Sequence, residues 1–381
     1  MIYFDNSATT RPCEEAVAAV TELLRDCWGN PSSLHNLGMD AARRLSQARR
    51  QVAAALGAEP DRVFFTSGGT EADNWVFHGA AKRLGKRGRH IITTAVEHHA
   101  VLHPAKELEQ QGFEVTYLQP DESGTVSVET LEAALRPDTI LVSVMMVNNE
   151  CGAVMPLQQM IRVTRRKSPN ALFHTDAVQG FLKVPFKAKT LGADLISISG
   201  HKVHGPKGVG ALYMKPGLPL PALIHGGGQE RNFRSGTEGL PAICGFGAAC
   251  AVGAASLKAD IAHMEALRDH CREELSKLSG VVLFGAAAAP HIVGMSIPGH
   301  RSQELINRLQ DREIYVSAGS ACAKGHRSHV LEAMGLPADV IDGAIRVSFS
   351  HENTLEDVDA LVTAIREDFI ENRNSRMASQ V

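Results

Sequence analysis

The sequence predicts an α/β protein with a mostly parallel sheet, followed by a smaller α+β domain. Three observations carry this. Short apolar runs rich in β-branched residues alternate with helical patterns through the first two thirds of the chain. Polar clusters recur at the carboxyl ends of those runs, where ligands sit in open α/β sheets. The 381 residues exceed what one hydrophobic core holds.

The strand-like runs are RVFFTS (62–67), HIITTA (90–95), FEVTYL (113–118), TILVSVMMV (139–147), ALFHTDA (171–177) and ADLISIS (193–199). Between them, helical periodicity covers Thr70 to Leu84, the stretch HHAVLHPAKELEQQG, Val128 to Leu135, and Leu157 to Lys167. From Leu240 a long helical pattern runs to Leu278, and VGMSIPG, EIYVSAG and AIRVSFS supply further strands. The expected division is a large domain over 12–257 and a small one over 258–381, joined by residues 1–11 folding back.

Hydrophobic content of 44%, charged content of 21% and a formal charge of −3 are those of a soluble protein with no affinity for polyanions. The start, MIYFDNSATTRP, lacks a signal-peptide layout, and the run from Ala242 to Ala255 is short for a membrane span, so a cytoplasmic location is expected. The seven cysteines (13, 27, 151, 244, 250, 271 and 322) form no C-x-x-C. No zinc ribbon or thioredoxin-like pair is encoded.

Four clusters carry chemistry. TSGGTEADN places Gly69 and Thr70 where a strand gives way to a helix, which suits either a phosphate or a simple capped turn. HTDAVQG ends a buried strand at Asp176, with Gln179 three residues on; its partner is either a structural cation or a ligand cation. VEHHAVLH offers His98, His99 and His103, but no third metal ligand accompanies the latter two. SAGSACAKGHRSH sets Cys322 among small residues near Lys324, His326 and Arg327, either an inconsequential loop thiol or one whose thiolate is favoured.

A fifth stretch, ISISGHKVHGPKGVG, puts Lys202 at the tip of a buried strand, where an ammonium must be paired, deprotonated or covalently used. Phosphate cradle, carboxylate and strand-end lysine are together the three grips needed by pyridoxal 5'-phosphate (PLP). Lys202 would form the Schiff base, and Asp176 would keep the ring nitrogen protonated.

At this point the chain resembles the NifS/IscS-type cysteine desulfurases of the class V aminotransferase group, PLP fold type I. The resemblance rests on YFDNSATT, GNPSS, TSGGTEADN, VEHH, VNNE, DAVQ, SGHKVHGPKGVGALY, HGGGQERNFRSGT, GSAC and IRVSFS, which span nearly the whole chain. It implies that Lys202 also shuttles the proton, that Gln179 bonds the ring hydroxyl, and that His98 lies over the ring. It further implies that Gly69, Thr70, Ser199 and His201 hold the phosphate. Thr237 would reach the phosphate of the other subunit of a homodimer, and Asn149 and Arg346 would hold the substrate carboxylate.

The implied reaction converts L-cysteine to L-alanine, with Cys322 as nucleophile and persulfide carrier. An acceptor protein, either an iron–sulfur scaffold or a tRNA-thiolation enzyme, would take the sulfur. Selenocysteine lyase or another PLP-dependent lyase or aminotransferase is the alternative, and a non-catalytic sulfur-transfer scaffold a more distant one. Two departures stand out: a shorter segment after Cys322, and VEH where the family pattern reads TEH.

Overall fold

The computed structural model describes residues 1–218, 220–318 and 327–371. Its centre is a seven-stranded sheet. In spatial order the strands are Val63–Thr66, Gly210–Met214, Leu195–Ser199, Leu172–Asp176, Thr139–Ser143, His90–Thr94 and Glu114–Leu118. Gly210–Met214 runs antiparallel to both neighbours, and the other pairings are parallel.

Except for the edge strand Glu114–Leu118, these strands are buried on both faces, and their alternation feeds two separate cores. Leu141, Leu172 and Leu195 point into one core with Trp75, Phe77 and Val101. Their successors Val142, Phe173 and Ile196 point into the other with Val52, Leu56 and Phe246. A period of two residues thus distributes a continuous apolar run onto two layers of helices.

All six strands expected in the large domain form, five of them within two residues of their predicted ends. The exception is TILVSVMMV, whose strand closes at Ser143. Beyond it the backbone still donates from Val144 to His174 O and from Met146 to Asp176 O. The antiparallel strand Gly210–Met214 was not expected from periodicity. It closes a reversal in which Gly208 adopts φ +77, and a Cβ on Gly210 would stand 2.7 Å from the Gly68 backbone.

The helix Leu240–Ser276 contributes to both lobes. Its first half buries Leu240, Ile243, Phe246 and Cys250 in the large core, and its second half buries Met264, Leu267, Cys271 and Leu275 in the small one. The expected division at 257/258 falls inside this single helix. By length and composition the helix could cross a membrane. The eight side chains just named pack in the two cores, while Val252 on the same helix is exposed.

The small lobe holds a three-stranded antiparallel sheet, with Ile292–Ser296 between Ala344–Ser348 and Val282–Phe284. The chain start joins it. Ile2–Tyr3 pairs in parallel with Ile314–Tyr315, and Phe4 packs edge-on against Phe349 at 5.5 Å between ring centroids. Asn6 donates to Ser348 O, and Ser7 N donates to Ser348 Oγ. Residues 2–7 are thereby fixed beside the carboxyl edge of the large sheet.

Candidate active site

The strand ends converge on a cavity of about 260 Å³. Gly69, Thr70, His98, Asn149, Asp176, Gln179, Ser199, His201, Lys202 and Arg346 all line it, although they come from six separate stretches of the chain. Thr237 does not line it and is exposed. Cys322, with Lys324 and His326, lies outside the described residues.

Lys202 closes a short 3-10 turn that begins directly after strand Leu195–Ser199. Its Nζ donates to the carbonyl oxygens of Ser7 at 2.6 Å and Ala8 at 2.8 Å. Two carbonyls of the N-terminal segment therefore orient the amine toward the cavity. Periodicity could not show this, because backbone oxygens leave no residue-type signature.

Asp176 is the last residue of its strand, and its Oδ1 accepts from Val178 N at 2.8 Å. Burial raises its pKa to about 6, against the opposing pull of the Val178 N–H and the Lys202 charge. Deeper in, His174 Nδ1 pairs with Ser143 Oγ at 2.8 Å and its Nε2 with Ser197 Oγ at 3.0 Å. Asp73 sits 3.5 Å from that Nε2, and burial, with Asp176 nearby, raises its pKa well above the carboxylate range.

Glu97 of the VEHH stretch is fully buried in the cavity wall. One of its oxygens accepts from Met145 N at 2.8 Å and from Thr94 Oγ1 at 2.9 Å. The other has no partner among the described residues, and burial lifts the pKa to about 8. His98 caps the helix His99–Gln110, its Nδ1 accepting from Ala100 N at 3.1 Å. The neutral ring therefore carries its proton on Nε2. Burial, then the Lys202 charge, lowers its pKa to about 4, so it is neutral at physiological pH.

Across the cavity, Gly69 and Thr70 open the helix Gly69–Leu84. A Cβ on Gly69 would meet Val178 Cγ2 at 2.7 Å and Ser199 Cβ at 3.8 Å, so the helix start presses against both the Asp176 turn and the Lys202 strand. Arg234 of the RSGT stretch ties that loop to the same helix start through Glu71, at 2.7 and 3.1 Å. At the far wall, Arg346 donates to Asn149 O and to Asp5 Oδ1, both at 2.8 Å. The amide of Gln179 spans Ser7 O at 2.8 Å and Lys183 Nζ at 3.1 Å.

These residues fit PLP. Backbone N–H groups at the start of a 16-residue helix, with Ser199 and His201 opposite, suit a phosphate. A buried strand-end carboxylate suits a ring N–H, and an amine held by neutral oxygens suits an aldehyde.

The Aminotransferase class-V family model matches residues 2–361. The chain belongs to that family. A cysteine desulfurase IscS of Methanosarcina thermophila is 42% identical over 370 residues, covering 96% of this chain and 91% of that protein. One from Dictyoglomus turgidum is 41% identical over 362 residues, covering 94% and 91%. A solved NifS-like protein is 40% identical with a TM-score of 0.91, covering 96% of this chain and 98% of that one. SspA, solved in complex with cysteine, is 34% identical with a TM-score of 0.80, covering 92% and 99%. The class-V fold is the type I fold of PLP enzymes, as the motifs imply.

Proposed function

We propose that this class-V protein is a PLP-dependent cysteine desulfurase, releasing L-alanine from L-cysteine and passing the sulfur to an acceptor. The observation that carries the reading is the placement of Lys202 Nζ, Asp176 and Arg346 on one cavity beside the helix start at Gly69. The family and its cysteine desulfurase relatives support it.

PLP, when bound, supplies an electron sink for charge that develops on the substrate's α-carbon. Lys202 would hold it covalently through Nζ and, once released, move the α-proton. Asp176 would pair with its ring nitrogen, and Gly69, Thr70, Ser199 and His201 with its phosphate. Arg346, fixed by Asp5 and the Asn149 carbonyl, would orient the substrate carboxylate. His98 would donate from Nε2 toward the reacting centre.

Cys322 would then attack the substrate sulfur as thiolate. An S–S bond forms and the C–S bond breaks, the electron pair leaving with carbon, which takes a proton and departs as alanine. The acceptor of the persulfide sulfur is proposed as an iron–sulfur scaffold or a tRNA-thiolating enzyme. The deciding experiment supplies L-cysteine and a thiol reductant and quantifies alanine and sulfide together. Equal amounts support the reading, and pyruvate or a keto-acid-dependent product sinks it.

A further inference from the structure

A second cavity, of about 220 Å³, lies behind the Lys202 turn. It sits where the two lobes meet, between the middle of helix Leu240–Ser276, the Leu182–Lys183 turn and the loop following Ser348. Leu182, Val203, Met264 and Phe349 give it apolar walls, and it opens to solvent past Val252 and the exposed His351.

Its one deeply buried charged side chain is Lys183, only 5% exposed. Lys183 Nζ donates to Gln179 Oε1 at 3.1 Å, an amide oxygen that already faces His291 Nε2 at 3.3 Å. An amide oxygen does not neutralise an ammonium. Burial, together with the positive charges of Lys202 and Arg346, drives the Lys183 pKa well below its usual value, so the amine takes up its proton when an anion joins it. Asp260 stands elsewhere in the cavity, its carboxylate taking the Ser256 hydroxyl, and is only half-buried. The neighbouring His204 donates Nδ1–H to Arg11 O at 2.9 Å and is itself neutral, its pKa lowered by burial to about 4.

Two lysines reach this chamber: Lys183, deeply buried, and Lys202, part-buried and held by the Ser7 and Ala8 carbonyls. An apolar chamber with convergent amines is the composition of a small-ligand pocket. The group that complements it is an anion on an apolar body. We infer that this cavity is a second ligand site, taking a small aliphatic monocarboxylate whose carboxylate pairs with Lys183 and whose hydrocarbon packs on Leu182, Val203, Met264 and Phe349. The site is wired to the first cavity. Gln179 joins Lys183 to Ser7 O, and Ser7 O also receives Lys202 Nζ. An occupant that draws Lys183 away from Gln179 alters the support of the catalytic lysine. The inference rests on this geometry and not on the desulfurase reading.

The test is calorimetric titration of the purified full-length protein with isovalerate and, in parallel, with its neutral isostere isovaleramide. Isovalerate should bind about tenfold or more tightly than the amide, since a charge-assisted hydrogen bond is lost in the latter. Lys183→Met should weaken isovalerate binding by a similar factor, whereas Arg346→Lys should leave it unchanged. Gly253→Leu, which drives a side chain toward Leu182 Cδ1 from a Cβ already 3.1 Å away, should also abolish binding without touching any charge. Equal affinity for acid and amide would overturn the proposal. So would the absence of binding, or binding that survives both cavity variants and disappears with Arg346→Lys, which would locate it in the first cavity.

Discussion

Lys202 Nζ donates at 2.6 Å to the carbonyl oxygen of Ser7, a residue 195 positions earlier in the chain. The amine just beyond strand Leu195–Ser199 is thus held by a segment that itself docks on the small lobe. Lys202→Ala should leave a folded protein that binds PLP without a borohydride-reducible link. Mass spectrometry after borohydride treatment checks this: cofactor found on another lysine of the variant would refute the assignment.

Any side chain at Gly69 forces Val178 to shift, because a Cβ there would stand 2.7 Å from Val178 Cγ2. Gly69→Val should push the helix start away from the Asp176 turn and cost about 1–3 kcal/mol in stability, the usual range for overpacking. PLP affinity, read by absorbance titration of the apoprotein, should fall about tenfold or more. Unchanged affinity would remove Gly69 from the phosphate site.

Glu97 titrates in an unusual sense. Burial raises its pKa from 4.5 in the unfolded chain to about 8 in the folded one, so between those values the folded state binds more protons. Its contribution therefore lowers stability as pH rises through that window. Glu97→Gln should equal the parent in thermal midpoint near the acid end and exceed it increasingly toward pH 8, measured on the apoprotein. A constant offset across the window would show that Glu97 is ionised throughout.

Cys322→Ser should fold, bind PLP and still show a spectral change with L-cysteine, because those steps use Lys202. Added sulfur should appear on the Cys322 peptide of the parent and on no peptide of the variant. Near-parent alanine and sulfide production by the variant would move the reading to a simple PLP lyase.

Thr237 is exposed and absent from its own chain's cavity, while Arg234, three residues before it, is anchored to Glu71. The proposed homodimer would let Thr237 act on the partner's phosphate. Mixing Lys202→Ala with Thr237→Ala protein, with subunit exchange verified, should yield a mixed dimer that has one intact site. No recovered activity in that dimer would place Thr237 in cis.

Much of this site was legible because its groups are side chains at strand ends. Asp176, Ser199 and Lys202 terminate or follow runs whose burial is visible from residue type alone, and His98 and Gly69 begin helices. What was not legible depends on backbone atoms or on distant burial. The Ser7 and Ala8 carbonyls have no signature, and Glu97 and Asp73 look like ordinary surface carboxylates until the sheet encloses them. The Gly210–Met214 strand is obscured because GALYM, buried on both faces, follows a Gly- and Pro-rich turn and carries no alternation. Lys183 is hidden for a related reason: in FLKVPF it reads as a solvated lysine, and only the folded chain buries it.

The docking of residues 2–7 on the strand Ala344–Ser348 also constrains biosynthesis. Asn6 emerges from the ribosome 342 residues before the partner that holds it. At about 5–20 residues per second, that interval is on the order of 20–70 s. Once Met214 has been made the large sheet can close, and Gln179 and His201 already tie Ser7 and Thr10 to it, but the small-lobe anchors of the segment are still to come. A ribosome-stalled chain ending before Ala344 would carry the finished central sheet and a lysine whose acceptor segment is held from one side only.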